Sequence, residues 1–192
     1  EKASKLAMQL LSQMESISRQ TIYDLQSCLS AELAEDYFGS ATTFVAAEID
    51  QTTRKAKILS VGDSRAYLID AQGKWQQITQ DHSILSELLA DFPDKKEEDF
   101  ATIYGGVSSC LVADYSEFQD KIFYQEIEIK QGESLLLCSD GLTDGLSAEV
   151  REKIWKQYDN DKSRLTVYRK LIEKQRFYDD LSVVVCTVLQ ND

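Results

Sequence analysis

Leu135-Leu136-Leu137-Cys138-Ser139-Asp140-Gly141-Leu142-Thr143-Asp144 is the stretch from which the rest of the chain can be read. An apolar run that stops abruptly at Ser-Asp-Gly reads as a buried strand, here over 133–139, that delivers a carboxylate to its own mouth. Two other places repeat the arrangement. Asp63 follows Lys57-Ile58-Leu59-Ser60-Val61-Gly62, and Asp179, with Asp180 beside it, leads into Leu181-Ser182-Val183-Val184-Val185. Carboxylates at the mouths of buried strands are costly unless paired, hydrogen-bonded or bound to a cation. For each aspartate alone a turn or cap is the simpler account, because Asp before Gly is a common turn residue. Three such carboxylates converging, in a chain with one histidine, describe a hard-cation site. Mg²⁺ or Mn²⁺ in octahedral oxygen coordination fits that donor set.

Working outward, Ala3, Leu6, Ala7, Leu10, Leu11, Met14 and Ile17 share one helical face, and Ile22, Leu25, Leu29 and Leu33 share another. The period then changes to that of strands, expected over 42–49, 56–61 and 65–69, the last two joined by Gly62-Asp63-Ser64. A turn at Gly73 leads to a short strand over 75–78. A short helix follows over 81–89, with Asp81 or Ser83 as its N-cap. Residues 91–115 are polar, contain the single proline (Pro93) and show no clean period, which predicts a functional or mobile flap. Beyond it come strands over 121–129 and 133–139, then helices over 148–158 and 162–174. The last strand, over 182–189, is apolar on both faces, which predicts a central position in its sheet. The order of elements predicts an α+β fold with helices flanking a sheet or pair of sheets.

The 192 residues suit a single domain spanning 1–192. With 21 basic and 33 acidic residues the formal charge is -12, a field that repels nucleic acid. No basic patch offsets it, since the Lys95-Lys96 pair runs straight into Glu97, Glu98 and Asp99. Acidity also suits a protein that concentrates divalent cations, although simple solubility explains the charge as well. No apolar run approaches the roughly 18 residues of a membrane span, and no signal-peptide pattern opens the chain. The chain starts at Glu1 without an initiator Met, as a fragment or a processed form would. The four cysteines include no Cys-x-x-Cys, so a zinc site is not expected. Cys138 and Cys186 read as small core residues in a reducing compartment, which makes the cytoplasm the expected location.

Four ordered motifs sharpen the reading. They are Val61-Gly62-Asp63-Ser64-Arg65-Ala66-Tyr67-Leu68, Ile78-Thr79-Gln80-Asp81-His82-Ser83, Cys138-Ser139-Asp140-Gly141-Leu142-Thr143-Asp144 and Asp179-Asp180-Leu181-Ser182-Val183-Val184-Val185. In this order and at these distances they closely resemble the metal-dependent protein phosphatase family, type 2C. Gly39-Ser40-Ala41-Thr42-Thr43 is similar to its Gly-x-Gly-Thr-Thr segment, with Ala41 in place of the second glycine. The stretch from Glu1 to Ala7 is similar to the start of its first helix. The resemblance implies a four-layer α-β-β-α sandwich of two antiparallel sheets flanked by helices, incomplete at its N-terminus. It also implies hydrolysis of phosphoserine and phosphothreonine in proteins. Two cations about 3.5–4 Å apart would polarise a bridging water that attacks phosphorus in line, without a phosphoenzyme.

Carried over by motif, Asp140 and Asp179 would be metal ligands, and Asp63 the cleft aspartate of a third, weaker site. Asp144 would hydrogen-bond a water on the metal, with a capping role near Ser147 as the alternative. Asp180 stands where many members carry Asn, and would orient its neighbour. His82 invites a general-acid role, but the family's candidate acid belongs to a segment near the N-terminus. By the same resemblance, the Asp81-His82-Ser83 segment would be a structural corner at the edge of the substrate cleft. Arg65 would meet substrate phosphate there or form a salt bridge within its strand pair.

The family's first two strands carry an acidic pair, a phosphate-binding arginine and an Asp-Gly-x-Gly-Gly stretch whose aspartate bridges both metals. This sequence starts at the helix that follows, and its two Asp-Gly pairs already belong to another motif. Either that segment was cut away, which is the expectation here, or the natural chain lacks it and is a pseudophosphatase, a binding or regulatory module. A stress-signalling domain of the sporulation-regulator type would share the fold and differ in substrate. Missing strands would also expose a sheet edge, and with it a route to a dimer. Expected partners are a phosphoprotein substrate and a cognate kinase, with neither nucleic acid nor membrane.

Overall fold

The computed structural model describes residues 1–100, 106–115, 118, 121–176 and 179–189. Within them the order is α1 (Lys2–Leu11), α2 (Arg19–Leu33), β1 (Ala41–Thr42), β2 (Phe44–Asp50), β3 (Lys55–Val61), β4 (Arg65–Ile69), β5 (Trp75–Gln77) and α3 (Ile84–Asp91). There follow β6 (Leu111–Val112), β7 (Phe123–Glu128), β8 (Ser134–Cys138), α4 (Asp140–Gly145), α5 (Ala148–Gln157), α6 (Asp161–Ile172) and β9 (Val183–Thr187). The fold class is α+β, as the change of period along the sequence predicts. Two compact units divide the chain, the first comprising 1–48, 57–63 and 80–125 and the second 49–56, 64–79 and 126–192.

The first unit is built around α1 and α2. Ser18 caps α2 in a capping box, its side chain accepting from the Gln20 amide while Thr21 Oγ1 accepts from the Ser18 amide. The helix buries Ile22, Leu25, Leu29 and Leu33 with Ala3 and Ala7 of α1 and with Phe44, Leu59, Val61 and Leu111. Each large apolar side chain buried there contributes about 1.5–3 kcal/mol. The strand expected over 42–49 is broken at Thr43: Ala41–Thr42 pairs with β6, whereas β2 joins a three-stranded sheet ordered β2-β3-β7. The loop between α1 and α2 is pinned by Glu48, whose Oε2 accepts from the Ser16 hydroxyl and the Ile17 amide, both at 2.7 Å. Its Oε1 meets Lys57 Nζ at 3.0 Å.

Of the two caps considered for the short helix, the structure uses Ser83, whose hydroxyl accepts from the Ser86 amide at 3.1 Å. The stretch expected to be irregular is partly structured. It holds a 3₁₀ turn (Glu97–Phe100), a bridge between Ser83 and Val107, and β6. Residues 101–105 of that stretch lie outside the described residues.

The second unit holds an antiparallel sheet ordered β5-β4-β8-β9, with Arg65 opposite Cys138 and Cys138 opposite Val183. One face packs on α4, α5 and α6 through Tyr67, Ile69, Leu136, Leu142, Ile154, Trp155, Tyr168 and Ile172. Here two sequence expectations are corrected. Among the described residues β9 pairs with β8 alone and stands at the sheet edge, and β8 holds the interior place that the valine run predicted for β9. Cys186 is exposed instead of buried in the core. The exposure follows from the two-residue pleat: Val183 and Val185 turn toward the helices, whereas Val184, 65% exposed, and Cys186 point the other way. The place in the sheet follows from long-range pairing, which a local run of valines does not record. Cys138 is buried as expected, and burial pushes its thiol up to about 12, which leaves it inert as a nucleophile.

Among the described residues no helix is long and apolar enough to cross a membrane.

Candidate functional site

β8 ends at Cys138, and the chain turns at once into α4, so Asp140 occupies the first helical turn. The sequence predicts a strand-to-turn junction at this point; the helix is only six residues long, too short for periodicity to announce it. Ser139 stands at the N-cap position yet makes no side-chain cap bond. Its side chain reaches sideways to the segment that precedes β9. Ser139 Oγ donates to the Asp180 carbonyl at 3.1 Å and accepts from the Ser182 amide at 3.1 Å, while the Ser139 amide donates to the Ser182 carbonyl at 3.0 Å. A glycine must follow Asp140, because a Cβ at Gly141 would lie 2.5 Å from the Asp180 carbonyl oxygen.

This stapling brings the Asp140 and Asp179 carboxylates within electrostatic reach. Asp140 is half-buried, and its carboxyl is held above the ordinary range first by burial, then by the charges of Asp179 and Asp144. Asp179 Oδ1 accepts from the Asp180 amide at 2.7 Å, so the main chain of Asp180 orients its neighbour. Asp144 is exposed, and Ser147 itself caps α5 by accepting from the Val150 amide at 3.4 Å. A cavity of about 180 Å³ opens beside Asp179 and Asp180, walled by Arg169 and Ile172 of α6, by its C-cap residue Glu173 and by Leu181. Arg65, opposite Cys138 on β4, directs Nη1 at the Tyr67 hydroxyl, 3.4 Å away.

Asp63 and His82 belong to the first unit. Asp63 is half-buried in the turn after β3, next to Gly62, whose φ of +102° and close approach to Thr43 demand glycine. His82 is buried and grips that turn twice. Its Nδ1 accepts from the Gly62 amide at 3.2 Å, and its own amide donates to the Gly62 carbonyl at 2.9 Å. The first unit also carries two open grooves, of about 290 and 610 Å³, that neither Asp140 nor Asp179 lines.

The donor set around Asp140 suits a hard divalent cation, because all the groups are carboxylate oxygens whose mutual repulsion a cation would relieve. Among the described residues no three His, Cys, Asp or Glu side chains form a cluster that would hold an ion unaided. Sequence reasoning missed Ser139 as the staple that sets this spacing. The signal was present in the serine and glycine on either side of Asp140, a polar reach and a close backbone approach at adjacent positions.

Residues 1–168 match the family model described as Protein phosphatase 2C. The serine/threonine phosphatase stp of Listeria monocytogenes is 32% identical over 169 residues, covering 80% of this chain and 65% of that protein. The chain thus spans just under two thirds of the length of that relative. Among solved structures, a bacterial serine phosphatase superposes with a TM-score of 0.82 at 24% identity, over 100% of this chain and 81% of the other. The catalytic domain of the serine/threonine protein phosphatase PstP, in complex with two manganese ions, gives a TM-score of 0.78 at 22% identity, over 98% and 81%. These likenesses establish the fold, and the extent of the family match settles membership: the chain belongs to the protein phosphatase 2C family.

Proposed function

We propose that this chain is the greater part of a Mg²⁺- or Mn²⁺-dependent phosphatase acting on phosphoserine and phosphothreonine in proteins. The observation that carries the reading is the staple at Ser139, which sets Asp140 and Asp179 against one another across the β8–β9 junction. The stp relative and the manganese-bound PstP structure support the same chemistry. Asp140 and Asp179 would hold the cation, Asp63 would serve a third and weaker site, and Asp144 would orient solvent. When bound, a pair of divalent cations supplies a water of lowered pKa and neutralises charge on the phosphoryl oxygens. The protein's own part is positional. Ser139 and Gly141 fix the spacing of the two carboxylates, the Asp180 amide holds Asp179, and His82 holds the Gly62–Asp63 turn. Arg65 stands as the candidate phosphate contact.

The substrate class is a phosphoprotein, and the natural partner is the kinase that writes its phosphate. None of the four cysteines is in a disulfide, which suits a reducing cytoplasm. The edge of β9 is the place for a dimer contact; a clean monomer in light scattering at high concentration would remove that element.

Hydrolysis of a small aryl phosphate, by protein that also carries the family's Asp-Gly-x-Gly-Gly segment, should require Mn²⁺ or Mg²⁺. Asp140→Asn and Asp179→Asn should each lower the rate by about 10²-fold or more, comparable to losing a preorganised electrostatic group. A phosphoserine peptide should be cleaved in preference to a phosphotyrosine one. Activity that survives full chelation defeats the two-metal reading. The 192 residues by themselves should bind the cation weakly and turn over little, and a robust kcat from them would show that the site is drawn wrongly.

A further inference from the structure

Residues 20–53 and 97–120 each carry six acidic residues and no lysine, arginine or histidine. Parts of both stretches wall the groove of about 610 Å³ that runs along α2. Ser27, Ser30 and Ala31 give it a small-residue lining, Tyr115 and Phe118 border it, and Glu35 lies on its rim. Tyr115 is 77% exposed and pairs with Phe38, itself 67% exposed, at 5.9 Å between ring centroids. The pair rests on bonded main chain, because the Gly39 amide donates to the Ala113 carbonyl at 2.8 Å and the Ala113 amide to the Ser40 carbonyl at 2.9 Å.

An exposed aromatic surface of this kind, rimmed by polar groups, marks an interaction site. Its charge selects the partner. Glu35 and Asp36 are exposed just past the C-terminus of α2, where the helix dipole adds negative potential. Neither has an ion-pair partner among the described residues. The surface already takes one cation, since Lys2 Nζ lies 4.8 Å from the centroid of the Tyr37 ring. Ring faces beside unpaired carboxylates favour guanidinium groups, and the same field repels nucleic acid, acidic peptides and anionic membranes.

We propose that this groove binds a basic, arginine-bearing peptide segment of a partner protein. Apolar side chains of the segment would seat along α2, and its guanidinium groups would stack on Phe38 and Tyr115 against Glu35 and Asp36. The inference is independent of the metal site.

The test is fluorescence anisotropy with a labelled ten-residue peptide of alternating arginine and leucine. This probe should bind saturably, and its glutamate/leucine counterpart should not. The charge-neutral change Phe38→Ser with Tyr115→Ser should weaken binding about tenfold, with the Tm unmoved because both rings are exposed. Glu35→Gln with Asp36→Gln should do likewise. Glu149→Gln with Asp159→Gln, the same charge change on exposed residues of the second unit, should leave affinity within about twofold, as additive distant sites do. Undiminished binding by the serine variant overturns the proposal, and so does equal weakening by the Glu149 and Asp159 changes, which would assign the effect to overall charge.

Discussion

At the scale of single residues, the Asp140 neighbourhood depends on atoms that a sequence alignment of charges would overlook. Gly141 is needed for space, since an added Cβ would press on the main-chain carbonyl of Asp180, which cannot swing aside as a side-chain tip would. Gly141→Ala should therefore destabilise the protein by about 1–3 kcal/mol, the usual range for overpacking. It should also displace the segment that carries Asp179. Chemical denaturation measures the first effect. The second should appear as a weakened Mn²⁺-induced rise in Tm; an unchanged metal response would mean that the two carboxylates do not share an ion. His82 works in the same register. Its Nδ1 accepts from the Gly62 amide, so that nitrogen helps to hold a turn.

At the scale of elements, Glu48 ties the loop ahead of α2 to the strands β2 and β3. The Ser16 hydroxyl, then the Ile17 amide, then Lys57 hold its carboxyl down to about 2. A depressed carboxyl stabilises the fold above its unfolded pKa and loses that contribution as pH falls through the folded value. Its share of stability should be intact above about pH 4.5 and fade toward about pH 2. Glu48→Gln should remove this part of the acid dependence and cost about 1 kcal/mol at neutral pH, because the pair is one-third exposed. Acid unfolding curves of the two proteins that coincide in shape would count against the clamp.

In the second unit, α5 presents Arg151, 7% exposed, over the rings of Tyr67 and Trp75 at 5.2 Å each. Its Nε and Nη1 have no hydrogen-bond partner among the described residues. A buried guanidinium held mainly by ring faces has a desolvation cost that an apolar side chain avoids. Arg151→Met should leave stability unchanged or raise it by about 1 kcal/mol, as urea midpoints would show. A loss of several kcal/mol would mean that the cation–π contacts outweigh desolvation.

At the scale of the whole molecule, a formal charge of -12 on 192 residues makes self-repulsion a general term in stability. Screening it with NaCl should raise the Tm by a few degrees, on the order expected once the Debye length falls below the spacing of surface charges. A Tm that falls with salt would show attractive pairs to dominate. The elements themselves were legible in the chain. Periodicity located both N-terminal helices, the strands β2 to β5 and β7 to β9, and the pair α5 and α6, because each has one face committed to a core and a repeat that matches its geometry, whereas the two-residue β6 is too short to show one. Four ordered motifs also carried the family. Tertiary structure alone decided which strand stands inside the sheet, since strand order rests on pairing between distant segments, and it alone decided which of three consecutive valines the pleat turns outward. It alone decided that Ser139 forgoes capping its own helix to hold the segment bearing Asp179. Local pattern records what each residue prefers, and only the assembled chain settles which of two competing amides donates to the one serine oxygen.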